Sequence, residues 1–128
     1  MPITRNPQTL APPSGNYSHG VEVSRGARHL YISGQIPEKL NGDVPADFDT
    51  QCETVWHNIG EILKASGMDF KNLVKVTTYL THPDQATRNS QIRQRILGEL
   101  KPALTVVIVQ TLESRWLLEI EAIAVAED

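Results

Sequence analysis

The last two strand-forming stretches of this chain are apolar on both of their faces, and nothing else in the sequence limits its architecture as much. From Leu104 to Val109 nearly every residue is apolar. Strand alternation turns Val107 and Val109 one way and Val106 and Ile108 the other. In Leu118 to Ala126 one face carries Leu118, Ile120, Ala122 and Ala124, and the other carries Glu119 and Glu121, then Ile123 and Val125. Strands of this kind normally have both faces covered, and a small soluble domain does not leave such a patch in water. Helices can cover one face. The simplest cover for the other is a second copy of the same chain, so an oligomer is expected. The competing cover is the N-terminal arm, lying over Ile123 and Val125.

The rest of the chain supplies the layers. Met1 to Gly15 holds four prolines and reads as an extended arm or loop, not as a signal peptide. Val21 to Ser24 and His29 to Gln35 read as strands around the turn Arg25-Gly26, together a hairpin. A Gly- and Pro-rich loop from Gly34 to Pro45 leads into a helix from about Ala46 to Ser66. Its Phe48, Cys52, Val55, Ile59, Ile62 and Leu63 form one apolar stripe, each side chain worth about 1.5–3 kcal/mol on burial. Gly67 ends it. Asn72 to Thr81 alternates as a strand. A second helix runs from Pro83 to about Leu100, with Ile92, Ile96, Leu97 and Leu100 as its apolar side and Pro102 as its stop. Strands Leu104 to Thr111 and Trp116 to Ala126 follow. The order β-β-α-β-α-β-β predicts an α+β fold with both helices on one face of the sheet, as a single domain over residues 1–128.

Composition narrows the function. The chain has 128 residues, 40% hydrophobic and 21% charged, with a formal net charge of −3. That balance disfavours a general nucleic-acid binder. No stretch approaches the roughly 20 apolar residues of a membrane-spanning helix. The one cysteine, Cys52, excludes an internal disulfide and fits a reducing, cytoplasmic setting; its place on the helix stripe makes it a core thiol. His19, His29, His57 and His82 lack close metal-ligand spacing, so no metal is expected. Glu119 is the odd residue: a carboxylate among apolar neighbours on the face assigned to the interface. It reads either as a rim carboxylate or as a general acid/base.

Several stretches resemble the RidA family, also called YjgF: Gly15-Asn16-Tyr17-Ser18, Ile32-Ser33-Gly34-Gln35, Asn58-Ile59, Pro102-Ala103-Leu104-Thr105, and Glu119-Ile120-Glu121-Ala122-Ile123-Ala124. In this order and spacing the likeness covers nearly the whole chain. It implies a chorismate-mutase-like trimer, with sheets forming an inner barrel, helices outside, and pockets for a small molecule at the seams between subunits. It also implies hydrolysis of reactive imines or enamines to a carbonyl compound and ammonia, without cofactor or metal. By position, the resemblance makes Glu119 the residue that orients the water and Tyr17 part of the catalytic wall. It makes Ser33, Gln35, Thr105 and Asn89 further pocket residues.

One departure stands out. Where the family's deaminases carry an arginine that grips the substrate carboxylate, this chain has Leu104. A charge-assisted hydrogen bond contributes roughly 1.5–3 kcal/mol, and a bidentate pair makes two. Its loss lowers transition-state binding on the order of a hundred- to ten-thousand-fold unless another group replaces it. Arg115, in the loop before the last strand, is the candidate replacement, whereas Arg88, Arg93 and Arg95 read as a solvated helix face. Val106 stands where many members have cysteine. Three readings follow: an imine or enamine hydrolase, a ligand-binding trimer that has lost its anchor, and a structural trimer. A ribonuclease is disfavoured, since no His/His or Lys pair suited to that chemistry is present.

Overall fold

The computed structural model describes residues 2–128; Met1, the first residue of the expected arm, lies outside the described residues. A short strand β1 (Ile3–Arg5) pairs antiparallel with β2 (Gly20–Glu22), and an Arg5–Glu22 ion pair at 2.9 Å ties them. The remaining strands form a four-stranded sheet: β3 (Arg28–Gln35), β4 (Leu73–Leu80), β5 (Ala103–Ile108) and β6 (Leu118–Ala126), in the order β3-β6-β4-β5. Here the sequence expectation is corrected. The stretch after Gly20 forms no hairpin with β3; it pairs with β1, drawn from the Pro-rich arm. The observed order gains a strand at its start, because the strand-forming Ile3-Thr4-Arg5 sits between prolines that hide it.

Helix α1 (Phe48–Ala65) begins where Asp47 caps it. The carboxylate accepts from Thr50 N at 2.9 Å and from Thr50 Oγ1 at 2.7 Å. It ends in a Schellman turn: Gly67, at φ +68, donates to Lys64 O, and Met68 donates to Leu63 O. Cys52, Val55, Ile59 and Leu63 are fully buried as the stripe predicts, while Phe48 and Ile62 are only partly buried. Trp56 joins the core, edge-on to Phe70. Helix α2 (Ala86–Leu97) buries Ile92 and Leu97. Both helices pack on one face of the sheet, against Ile32, Val76, Leu80, Leu118, Ile120, Ala122 and Ala124.

The other face is helix-free. It carries Tyr31 and Ser33 of β3, Glu119, Glu121 and Ile123 of β6, Lys75, Thr77 and Tyr79 of β4, and Thr105 and Val107 of β5. Its covering differs from end to end. Val125 is buried within the chain and Ile123 half-buried. The open apolar surface lies on β5 instead, at the sheet's edge, where Val106, Val107 and Ile108 are 41, 40 and 48% exposed. Ser18, just beyond the arm, bridges the start of that edge at Ala103.

Candidate functional site

Glu119 sits at the beginning of β6, directly opposite Tyr79 on β4, on the helix-free face. Its carboxylate lies over Gly34: a Cβ added to that glycine would fall 1.9 Å from Glu119 Oε2. Two features of β3 make this seat. The residue has no side chain, and the strand bulges, pairing Ile32 with Ala122 and Gln35 with Ile120, so one extra residue fits between them. Next to it, Tyr79 Oη donates a short hydrogen bond to Glu121 Oε1. That bond raises the pKa of the Tyr79 phenol, with burial as a smaller contribution. The Glu119 carboxylate makes no hydrogen bond or ion pair with any described residue. These groups and the loop residues Val109, Gln110, Thr111 and Leu112 line a cleft of about 350 Å³. The lining holds two carboxylates and no cation.

The loop that closes this cleft is fixed from behind by Gln51. Its buried amide donates to Pro45 O and Arg115 O, both at 2.8 Å, and accepts from Leu117 N at 2.8 Å. All this occurs at one end of the sheet.

The other sequence-predicted residues lie elsewhere. Tyr17 is on the arm, where Ser14 N donates to its Oη at 3.3 Å; hydrogen bonding from Ser14 holds the phenol below its usual pKa. His19 packs edge-on against it. The arm is fastened beside the start of β5: Ser18 donates to Lys101 O and Pro102 O. Thr105 is on the helix-free face near that end, and Lys75 Nζ donates to its Oγ1 at 2.6 Å. Lys75 precedes Tyr79 by four residues on β4, so the two ends are roughly 13 Å apart along the strand.

Leu104 pairs with Val76 and shares its core-facing side, packed against the hydrophobic core. Gln35 faces the helices, because the bulge shifts the alternation after Ser33. It donates to Ser33 O and lines a separate depression of about 930 Å³ beside α1, together with the fully exposed Leu40. That hollow is larger than the Glu119 cleft, but its lining is mostly solvated side chains of one helix and one loop. Ser33 is exposed on the helix-free face. Asn89 is buried between the helices, with Cys52 Sγ 3.9 Å from its Oδ1. Arg115 is exposed and paired with Glu113 at 3.0 Å. Within one chain the structure therefore brings Glu119 together with Gly34, Tyr79 and Glu121. It places Tyr17 toward the opposite end and Thr105 between the two ends, at the register of Thr77, and leaves Asn89 and Arg115 apart from both. Tyr79 and Gly34 were not singled out from the sequence. Alternation puts Tyr79 on the right face, but only the strand order sets it against Glu119.

Among the described residues no three His, Cys, Asp or Glu side chains converge as a metal site requires. No helix among the described residues is long and apolar enough to cross a membrane.

Residues 8–126 match the family described as Endoribonuclease L-PSP. A 2-iminobutanoate/2-iminopropanoate deaminase of Mus musculus is 40% identical over 121 residues, which is 91% of this chain and 87% of the relative. Among solved structures, the Rid family protein YyfB of Yersinia pestis superposes with a TM-score of 0.81 at 29% identity, covering 98% of each chain. E. coli TdcF with bound serine gives 0.74 at 29% identity, covering 96% of this chain and 94% of that one. Sequence motifs, sheet order and these likenesses agree, and the chain belongs to the RidA (YjgF) family, whose profile carries the Endoribonuclease L-PSP description.

Proposed function

We propose that this protein hydrolyses a reactive imine or enamine in pockets at the seams of a homotrimer. The observation that carries this reading is the seat of Glu119: a carboxylate in a cleft, held over a glycine and engaged by no cation. Such a group can take a proton from a water molecule as that water attacks the imine carbon. The tetrahedral adduct then loses ammonia as the C–N bond breaks, so imine and water give a carbonyl compound and ammonia. An enamine first takes a proton on carbon and enters as the imine. Ser33 would line the same pocket from beside Gly34 in the same chain, and Tyr17 would enter it from a neighbouring copy, since in one chain Tyr17 lies toward the other end of the sheet from Glu119. The open edge at β5, with three exposed apolar residues, supports a neighbour there. Deaminase relatives at 36–40% identity support the reaction class.

The family's description names a ribonuclease. The cleft speaks against that chemistry here, because two carboxylates and no cation form the wrong lining for a polyphosphate. Leu104 favours a second reading, a trimer that binds a small molecule without turning it over, since the usual carboxylate anchor is missing. Imines generated in place by an amino-acid oxidase separate the two. The hydrolase reading predicts faster release of ammonia with at least one acidic, neutral or aromatic imine. No acceleration with any of them overturns it.

A further inference from the structure

The three arginines of α2 have different surroundings. Arg88 reaches Asp49 at 2.8 Å and Arg95 reaches Glu53 at 3.0 Å, both on α1 and both exposed. Arg93 is half-buried; its Nη2 donates to Ser90 Oγ at 3.3 Å, and no carboxylate among the described residues lies within ion-pair distance. Burial pulls its pKa below the usual arginine value. Cys52 is close enough to act on it, but burial pushes that thiol up to about 12, so it is neutral at pH 7. Arg93 is therefore a partly desolvated guanidinium with no carboxylate partner among the described residues.

What faces it is a cavity of about 210 Å³ between α2 and the arm, lined also by Ser14, Asn16, Ser90 and Gln94. These side chains offer hydroxyl and amide groups and no acid. At about 30 Å³ for each water-sized group, the space holds roughly seven non-hydrogen atoms. The cavity adjoins the arm segment that carries Tyr17, and Leu97 and Leu100, just ahead of β5, close its apolar side.

We infer that this cavity, between α2 and the arm, binds a small carboxylate through Arg93. The guanidinium fork takes both carboxylate oxygens, and the short apolar tail rests on Leu97 and Leu100. The inference rests on the hydrolase reading only where that carboxylate is called a substrate's.

Calorimetric titration of the full-length protein with sodium butanoate, and separately with inorganic phosphate, tests it at constant ionic strength. Wild type and R88Q should bind butanoate saturably and alike, and R93Q about tenfold or more weakly. R93K keeps the charge but not the fork, and should fall between; it also serves if R93Q does not fold. Absence of saturable butanoate binding overturns the inference, as does equal binding by wild type and R93Q. Phosphate binding without butanoate binding overturns the carboxylate assignment. Binding is read without turnover, so the two failures are distinct. A protein that binds butanoate through Arg93 yet hydrolyses no imine loses the hydrolase reading alone. An active protein that binds no butanoate loses this site alone.

Discussion

The two ends of the sheet divide the chemistry between them. At one end Glu119, Glu121 and Tyr79 stand on the two central strands, β6 and β4, with Gly34 beneath and the Gln51-anchored loop alongside. Toward the other, Tyr17 and Lys75 bring a hydroxyl and a cation where the arm meets β5, and Arg93 lies on α2 over the sheet's opposite face. The first end is acidic and built on hydrogen-bonded interior strands. The second is basic, and its tyrosine depends on a loop-like arm fastened by Ser18. Between them runs β5, an edge with apolar residues exposed on both faces. On the proposed reading this contrast makes one copy incomplete, because Glu119 and Tyr17 lie toward opposite ends of the sheet.

The largest effect should come from removing the acidic end's working group. Glu119→Gln is expected to lower imine hydrolysis on the order of 10²–10⁴-fold, with the melting temperature little changed, since no described partner depends on the carboxylate. Equal rates in steady-state assays would remove Glu119 from the account. Next, Leu104→Arg should raise activity on 2-imino acids about a hundredfold, by restoring a bidentate anchor at the other end. It should also lower the melting temperature, because Leu104 packs on the core. Gly34→Ala sharpens the comparison further. The new methyl displaces the Glu119 carboxylate, so kcat should drop about tenfold while differential scanning calorimetry shows a small change.

The smallest effect is in pH. Tyr79 has a raised pKa in the folded protein, so the fold keeps a proton that the unfolded chain releases above about pH 10. The stability this contributes is present below that pH and lost as pH rises through the raised value. Urea titrations should show wild type losing stability more steeply than Tyr79→Phe in that alkaline range. Parallel curves would mean that the Tyr79–Glu121 bond does not contribute as described.

Local patterns were legible in the sequence and long-range register was not. The α1 stripe, its Gly67 stop and the division of β6 into a core face and a Glu119 face follow from periods of 3.6 and 2. Trp56 escaped because it sits beside the stripe and is buried by Phe70 from another element. The β1–β2 pair escaped because three residues between prolines carry no periodicity. Gln35 was expected to sit with Ser33 at one pocket, yet a single-residue bulge turned it toward α1. Arg93 looked like its neighbours on a charged helix; only the path of the arm gives it a cavity. The motifs identified the family, but which ends of which strands they occupy is a property of the folded sheet.

Mixing two disabled variants tests the shared pocket most directly. Glu119→Gln and Tyr17→Ala proteins, unfolded together and refolded in equal amounts, would form mixed trimers. If each pocket draws Glu119 from one copy and Tyr17 from the next, about one seam in four carries both native residues in a cyclic assembly. Activity on an imine that wild type hydrolyses should then recover to roughly a quarter of the wild-type rate, at three times the 14.2 kDa mass of the chain. A mixture no more active than its two components would contradict the account.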